Sequence, residues 1–402
     1  MKTHQISLIS CLLLFCALLM VNSDAFGQNS EYSRWIGTLE GNEEITPGGG
    51  AFLYDLYLVD EKSLRIEKST GIKLIKETFP FTRTDNGIQL GNVENSTIPE
   101  FNNVEMVQVS DKRYDVTLFG SEKSSFRPSK TSYAWMQWIF LFLLVFIGNE
   151  LCRKYKYFNH FLFILVPIVL TPLLWMDAGF DGWFRWVKLY SVLAMSLIIM
   201  YFRFHGGNKY NFVKIVIAGL LAINIAEAVA QDFTTHQVLN LINGIAGILN
   251  ILTIAHILGM KKDTSTPHDM LWPGMTIFWI LAYDIWNVTF VYINYPNTVF
   301  NTIAILAAPT IAAIWIKRGT YMQARANTLS IYMMYLFTTA VFYNETLSMQ
   351  VTLPLPRNDT ILYLLVGSSI FLNVALAIYY FRWKFTGKAP SKLQVGQSDS
   401  VL

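Results

Sequence analysis

Nine apolar stretches follow one another through the C-terminal two-thirds of this sequence, each long enough for the roughly 20 helical residues that cross a hydrocarbon core about 30 Å thick. They fall at approximately 134–151, 158–176, 185–203, 211–231, 237–259, 270–293, 298–316, 328–345 and 360–381. A soluble core accounts for any one of these windows but not for nine in succession. In lipid, backbone N–H and C=O groups must be paired internally, so the windows predict membrane helices. Composition agrees: hydrophobic residues make up 53% of the 402 and charged residues only 15%. Mean hydropathy is +0.35, a balance foreign to soluble domains.

The connections test the count independently of hydropathy. Alternate ones are basic: Arg153, Lys154 and Lys156; Arg203 and Lys209; Lys261 and Lys262; Lys317, Arg318 and Arg325; Arg382, Lys384, Lys388 and Lys392. The intervening ones are poor in Lys and Arg: Asp177 and Asp181, Asp232, Asn294-Tyr295-Pro296-Asn297, and a longer loop with Arg357 and Asp359. An error of one helix would scramble this alternation, which places the basic side in the cytoplasm. Trp135, Trp138, Trp183, Trp186, Trp272, Tyr292, Tyr295, Trp315 and Trp383 near the predicted ends read as an interfacial aromatic belt.

Upstream lies a different pattern. Residues 1–27 open with Lys2 and His4, run apolar from Ile6 to Val21 and end Ala25-Phe26-Gly27, a signal peptide. From 28 to 120 the period falls to two, as in Phe52-Leu53-Tyr54-Asp55-Leu56-Tyr57-Leu58 and Val104-Glu105-Met106-Val107-Gln108-Val109. Gly48-Gly49-Gly50, Asp85-Asn86-Gly87 and Ser110-Asp111-Lys112 supply turns. About six to eight strands are expected in this segment. Residues 121–133 are polar, carry a proline and read as a linker. Of the three cysteines, Cys11 and Cys16 lie in the leader, so Cys152 alone remains and no disulfide can form within one mature chain.

The predicted fold is thus an α-helical polytopic membrane bundle of about nine transmembrane helices (134–385), preceded by a small extracytoplasmic all-β domain, sandwich or barrel, and followed by a cytoplasmic tail, 386–402. The expected setting is a bacterial inner membrane.

A carboxylate near the bilayer centre must face the bundle interior and find a partner. In the fourth span Asn224, Glu227 and Gln231 follow i, i+3, i+7 spacing. In the fifth, His236, Asn240, Asn243, Gly247 and Asn250 keep a 4-3-4-3 rhythm, the residues from Asn240 to Asn250 covering roughly 15 Å of helix. In the sixth, Tyr283, Asp284, Asn287 and Asn294 share one broad face. Lys188 of the third span sits at the depth of Glu227 and is its expected partner. These residues predict a polar cavity, opening outward, among the third to sixth spans.

Blander readings compete. Asn and Gly on helix seams are packing devices, and packing is the favoured reading of the Asn stripe by itself. Glu227 and Asp284 point the other way, because an amide would suffice where a charge is costly. Asp232, at an outer end, reads as solvated. Ala304, Ala308 and Ala312 form a small-residue packing face, Pro309 a kink, and Pro167 and Pro172 breaks in the second span. Glu150 pairs most simply with Arg153, and His160 and His256 are isolated.

Enzymes leave marks that are missing here. There is no His-Glu-x-x-His helix, no Gly-x-Ser-x-Gly elbow, no phosphate loop and no second aspartate to match Tyr283-Asp284. Neither a metal nor a cofactor is predicted, and no basic block suggests nucleic acid.

Gly148-Asn149-Glu150-Leu151-Cys152-Arg153, Pro167-Ile168-Val169-Leu170-Thr171-Pro172, Asn224-Ile225-Ala226-Glu227-Ala228 and Asp269-Met270-Leu271-Trp272-Pro273, leading to Ala282-Tyr283-Asp284-Ile285-Trp286-Asn287, resemble an uncharacterised bacterial multi-pass family known only as a domain of unknown function. The resemblance covers the membrane portion, implies an inner membrane and brings no activity. The leading expectation is a secondary transporter or channel-like protein for a small polar or ionic solute. Glu227 and Asp284 would be its coupling or binding carboxylates, with Asn224, Asn240, Asn243, Asn250, Asn287, Tyr283 and Lys188 around them. The rival is a membrane-anchored sensor or envelope assembly factor whose β domain binds a ligand or a protein partner.

Overall fold

The computed structural model describes residues 34–39, 52–70, 73–110, 113–119, 122–128, 131–177, 183–295, 298–342 and 359–386. The leader 1–27, Gly48-Gly49-Gly50 and the tail beyond Thr386 lie outside the described residues.

The β domain is a closed barrel of eight strands in sequential order. They are β1 (Arg34–Leu39), β2 (Phe52–Leu58), β3 (Ser63–Thr70), β4 (Lys73–Thr84), β5 (Gly87–Leu90), β6 (Glu105–Ser110), β7 (Arg113–Leu118) and β8 (Glu122–Pro128). Period-two alternation turns Tyr54 and Leu56, Leu64 and Ile66, Phe79 and Phe81, Ile88 and Leu90, Val116 and Leu118 inward, all buried. A 3-10 turn at Pro99–Phe101 buries Phe101 among Tyr54, Phe79 and Phe126. It also brings Glu100 to Lys68 Nζ at 2.5 Å and to the Tyr54 hydroxyl at 2.8 Å. Burial, and then the charge of Glu100, push the Tyr54 hydroxyl far above its ordinary pKa.

Strand β8 corrects the linker reading of 121–133. Glu122-Lys123-Ser124-Ser125-Phe126 is polar on average, yet Ser124 and Phe126 are buried, and β8 closes the barrel by pairing Trp35 with Pro128 and Ile36 with Arg127. A strand whose outer face is charged and whose inner face holds one small residue carries too little apolar signal to stand out.

Nine long helical segments follow among the described residues: α1 (Thr131–Lys154), α2 (Lys156–Leu173), α3 (Trp183–Phe204), α4 (Asn211–Thr234), α5 (Val238–Leu252), α6 (Ile277–Asn294), α7 (Val299–Ile316), α8 (Tyr321–Phe342) and α9 (Asp359–Thr386). Six of them, α2, α3, α4, α6, α7 and α9, are long and apolar enough to cross a membrane. Many outward side chains are apolar, among them Ile168, Leu173, Phe212, Ile223, Leu364 and Phe371. Ahead of Pro167, α2 widens into a π turn at Phe161–Leu165, and α7 does so at Ala312–Ile316, just after Pro309. The first fits a ring at Pro167 that offers no N–H to the helical ladder. Ala304, Ala308 and Ala312 are buried where α7 packs between α1 and α8.

Three boundaries differ from the hydropathy windows. Helix α5 stops at Leu252, not 259: the Thr253 hydroxyl turns back to the carbonyls of Leu249 and Asn250, and His256 takes a left-handed φ of 53°. The Trp272 indole donates to Ala255 O at 2.8 Å and that of Trp279 to Asn250 O at 3.4 Å, covering carbonyls the helix has left. Helix α6 starts at Ile277, after Pro273-Gly274 and behind the N-cap Thr276, which accepts from the Trp279 amide at 3.1 Å. Helix α8 starts at Tyr321, seven residues before the expected 328, because Gln323, Arg325 and Asn327 are helical and buried.

The basic connections are only partly solvated. Arg203 is fully buried and donates to the carbonyls of Cys152, Arg153, Pro267 and His268. Arg153 bridges Glu150 at 2.9 Å and Asp269 at 3.1 Å, and Gln323 donates to Asp269 at 3.0 Å. Asp263 is partly buried, which raises its pKa. Lys317 at 2.6 Å and the hydroxyl and amide of Ser265 overcome that and hold it down to about 2. The aromatic belt also needs revision: Trp183 is 75% exposed, but Trp272 and Tyr292 are core residues at 0%.

Candidate functional site

The fourth helix carries the first elements. On α4, Asn224 and Glu227 are one turn apart and point at α3, where Lys188 Nζ donates to Asn224 Oδ1 at 2.8 Å and to Glu227 Oε2 at 2.7 Å. The pairing of Lys188 with Glu227 matches the depth argument drawn from the sequence. Both side chains are partly open, at 26% and 39%, so the pair forms a polar rim.

Below that rim a pocket, partly open to the exterior, runs between α3, α4, α6 and α8. Its walls are Val192 and Met195 of α3, Leu220 and Leu221 of α4, and Met322 and Leu329 of α8, with Ser191, Asn224 and Glu227 among the polar lining. Tyr283 of α6 and Arg325 of α8 complete it. From Leu220 to Glu227 the α4 wall covers about 10 Å of helix axis. The pocket differs from the expected cavity in one wall: α8 takes the place of α5.

Arg325 is the residue that sequence reading misplaced, among the cytoplasmic basic connections. It is 5% exposed and hydrogen-bonded to Tyr283, while its Nε and Nη1 have no hydrogen-bond partner among the described residues. Its signal was the run Tyr321-Met322-Gln323-Ala324-Arg325-Ala326-Asn327, which reads as helix once the polar residues are allowed to face inward.

Asp284 turns away from the pocket. Its oxygens accept from Thr310 Oγ1 of α7 at 2.5 Å and from the Tyr321 hydroxyl of α8 at 2.6 Å. It remains close enough to Arg325 for their charges to attract. Asn287 donates to the Tyr283 hydroxyl at 3.3 Å, so α6 sends one residue, Tyr283, into the pocket and holds its neighbours behind it.

The Asn stripe of α5 does not line the pocket. Asn240 and Asn243 donate to the Asp232 carboxylate at 2.9 Å each, joined by Asn294 of α6 at 2.9 Å. Ser369 of α9 donates to Asn243 Oδ1 at 2.9 Å. Asp232 is therefore fully buried, which corrects its reading as a solvated end residue. The turn from α4 to α5 is short, and it folds the end of α4 against the first turn of α5, where the amides wait. Asn250 is buried further along the stripe, and its side-chain N and O have no partner among the described residues. Gly247 lets α5 come close to Val229 and to the Trp286 indole.

No group of three or more His, Cys, Asp and Glu able to hold a metal ion occurs among the described residues. His160 and His205 approach to 3.0 Å between their Nε2 atoms, a pair and not a cluster.

Residues 128–395 match the model of a family described as a family of unknown function (DUF5692). No curated protein and no solved structure matches the chain.

Proposed function

From a chain that belongs to this family of unknown function, we propose a multi-pass membrane protein that carries a small polar or ionic solute through the pocket between α3, α4, α6 and α8, as a secondary transporter or a channel-like protein. One observation carries the reading: an apolar bundle encloses a partly open pocket with the Lys188–Glu227 pair at its rim and the buried Arg325 at its floor. A bundle that served only as an anchor would have no use for a costly buried charge on the wall of such a pocket.

Six helices of sufficient length and the apolar outward side chains support a bilayer setting. Exposed Lys154, Lys156, Lys209, Lys261, Arg318 and Lys384 all fall on the connections assigned to the cytoplasm. In this reading residues 1–27 are a signal peptide, the barrel lies outside an inner membrane, and the C-terminus lies inside. Glu227 is then a coupling carboxylate, its pair with Lys188 broken and remade as the pocket fills. Asp284 is a fixed counter-charge behind Arg325. Asn240, Asn243 and Asn250 hold α5 in place and do not meet the solute.

The rival reading, a sensor or assembly factor working through the β domain, has less support. The barrel interior is occupied by Tyr54, Phe79, Phe101 and Phe126 around the Lys68–Glu100 pair.

The test is flux in sealed vesicles holding the purified chain, with transient currents recorded on jumps of small organic anions, organic cations and neutral polyols. Currents with at least one class are expected, together with their loss in Glu227→Gln and in Lys188→Gln. Absence of current with every class, or flux indifferent to both substitutions, would overturn the reading.

A further inference from the structure

We propose that the pocket is an organic-anion site: Arg325 receives a carboxylate or comparable anionic head, and the walls of α3, α4 and α8 receive an attached apolar body. The proposal deepens the transport reading by naming the class of solute, and rests on that reading only for what happens after binding.

A guanidinium offers five N–H donors and no acceptor, and it does not lose its charge. Arg325 has two of its three nitrogens without a partner among the described residues, at 5% exposure and on a pocket wall. The nearby carboxylate, Asp284, attracts its charge but gives its oxygens to Thr310 and Tyr321 and fills neither free nitrogen. Buried polar groups are almost always paired, and a residue that lines a cavity with two unpaired nitrogens, closed to solvent as they stand, can meet a partner from outside by turning its side chain into the cavity. That partner must accept hydrogen bonds, and next to a buried cation a charged acceptor forms the stronger bond.

Charge at the other end does not oppose this. Glu227 also lines the pocket, but its carboxylate is held by Lys188 at 2.7 Å, so the rim is close to neutral. The wall chemistry sets the rest of the ligand. Val192, Met195, Leu220, Leu221, Met322 and Leu329 offer hydrogen-bond partners to no polar substituent. A bare inorganic anion would leave them facing water. A head of two or three oxygens with a short hydrocarbon tail satisfies both ends.

The experiment uses the purified full chain in detergent with three probes of matched tail: hexanoate, hexylammonium and hexanol. Thermal protection is measured first and vesicle currents second. Hexanoate is expected to raise the melting temperature in a saturable way, with the other two ineffective. Arg325→Gln is expected to weaken hexanoate binding at least about tenfold, and Arg325→Lys, which keeps the charge, to restore part of it. Equal protection by all three probes in the unaltered chain overturns the proposal without any variant, so a misfolded Arg325→Gln cannot hide the answer. Protection by hexylammonium alone also overturns it. Hexanoate protection that Arg325→Lys retains in part, without any hexanoate current, supports the site and refutes transport. Currents carried by cations or polyols with no hexanoate binding support transport and refute the anion assignment.

Discussion

Asp232 allows the sharpest calculation. Its carboxylate accepts one N–H each from Asn240, Asn243 and Asn294, all at 2.9 Å and all buried. Replacing it with alanine strands three donors in a site without room to rehydrate them. At about 1–3 kcal/mol for each lost acceptor, and with neighbouring losses that overlap, Asp232→Ala should cost about 3–5 kcal/mol. Asp232→Asn is a different perturbation of the same shape. Its oxygen can still receive Asn240 and Asn294, while its new NH2 meets the NH2 of Asn243. A single flip of the Asn243 amide resolves that clash, because the amide nitrogen then meets the Ser369 hydroxyl, which can accept. Removing a buried charge also relieves its desolvation, so the net cost should stay within about 1 kcal/mol. Unfolding of the full chain by SDS in mixed micelles, followed by tryptophan fluorescence, measures both; the Trp286 indole, 3.0 Å from Asn243 O, lies beside the cluster. If Asp232→Ala is as stable as the parent, water reaches these amides and the buried cluster is wrong. If Asp232→Asn costs as much as alanine, the charge and not the acceptor geometry is what matters.

Three further outcomes are expected. Gly247→Ala places a methyl against Val229 and 2.8 Å from the Trp286 indole nitrogen, so it should cost about 1–3 kcal/mol in the same SDS assay. Lys317→Met removes the strongest influence lowering Asp263, whose folded pKa of about 2 lies below its ordinary 3.8. A lowered carboxylate contributes stability above its unfolded pKa and loses it as pH falls through the folded one. The melting-temperature gap between parent and variant should therefore be full above about pH 4 and vanish near pH 2. In the barrel, Glu100→Ala takes the carboxylate from beside the buried Lys68 and should cost about 3–5 kcal/mol, whereas Lys68→Met with Glu100→Leu should come close to neutral; circular dichroism melts of the two full-length variants separate these results.

Much of the architecture was legible because membrane helices and barrel strands announce themselves by periodicity. Nine helical segments and an all-β segment follow from apolar windows and from alternation. The pairing of Lys188 with Glu227 was within reach because helix direction and a fixed rise convert sequence position into depth. Other features were hidden for identifiable reasons. Strand β8 is polar in sequence, with Phe126 its one large buried side chain among the described residues. Helix α5 ends inside an apolar run, since Ile254, Ala255 and Ile257 continue the hydropathy after the backbone has turned. Arg325 was read as a loop residue because a window average cannot tell a charge in water from a charge turned into a bundle. The Asn stripe was seen as one face, but its partners lie on α4, α6 and α9, and no spacing within one helix reports what stands opposite.

Helix α5 has 15 residues, about 22 Å of rod against the roughly 30 Å of a hydrocarbon core. In the transport reading the missing turn and a half is non-helical peptide, which survives at that depth only where something blocks its lone pairs. Two ring hydrogens, one from Trp272 and one from Trp279, do so beside the Thr253 hydroxyl. Exchanging either indole for a phenyl ring would keep most of the bulk and delete a single proton. How far such a chain would sink below a bilayer surface then depends on donors such as these as well as on the greasiness of the segment.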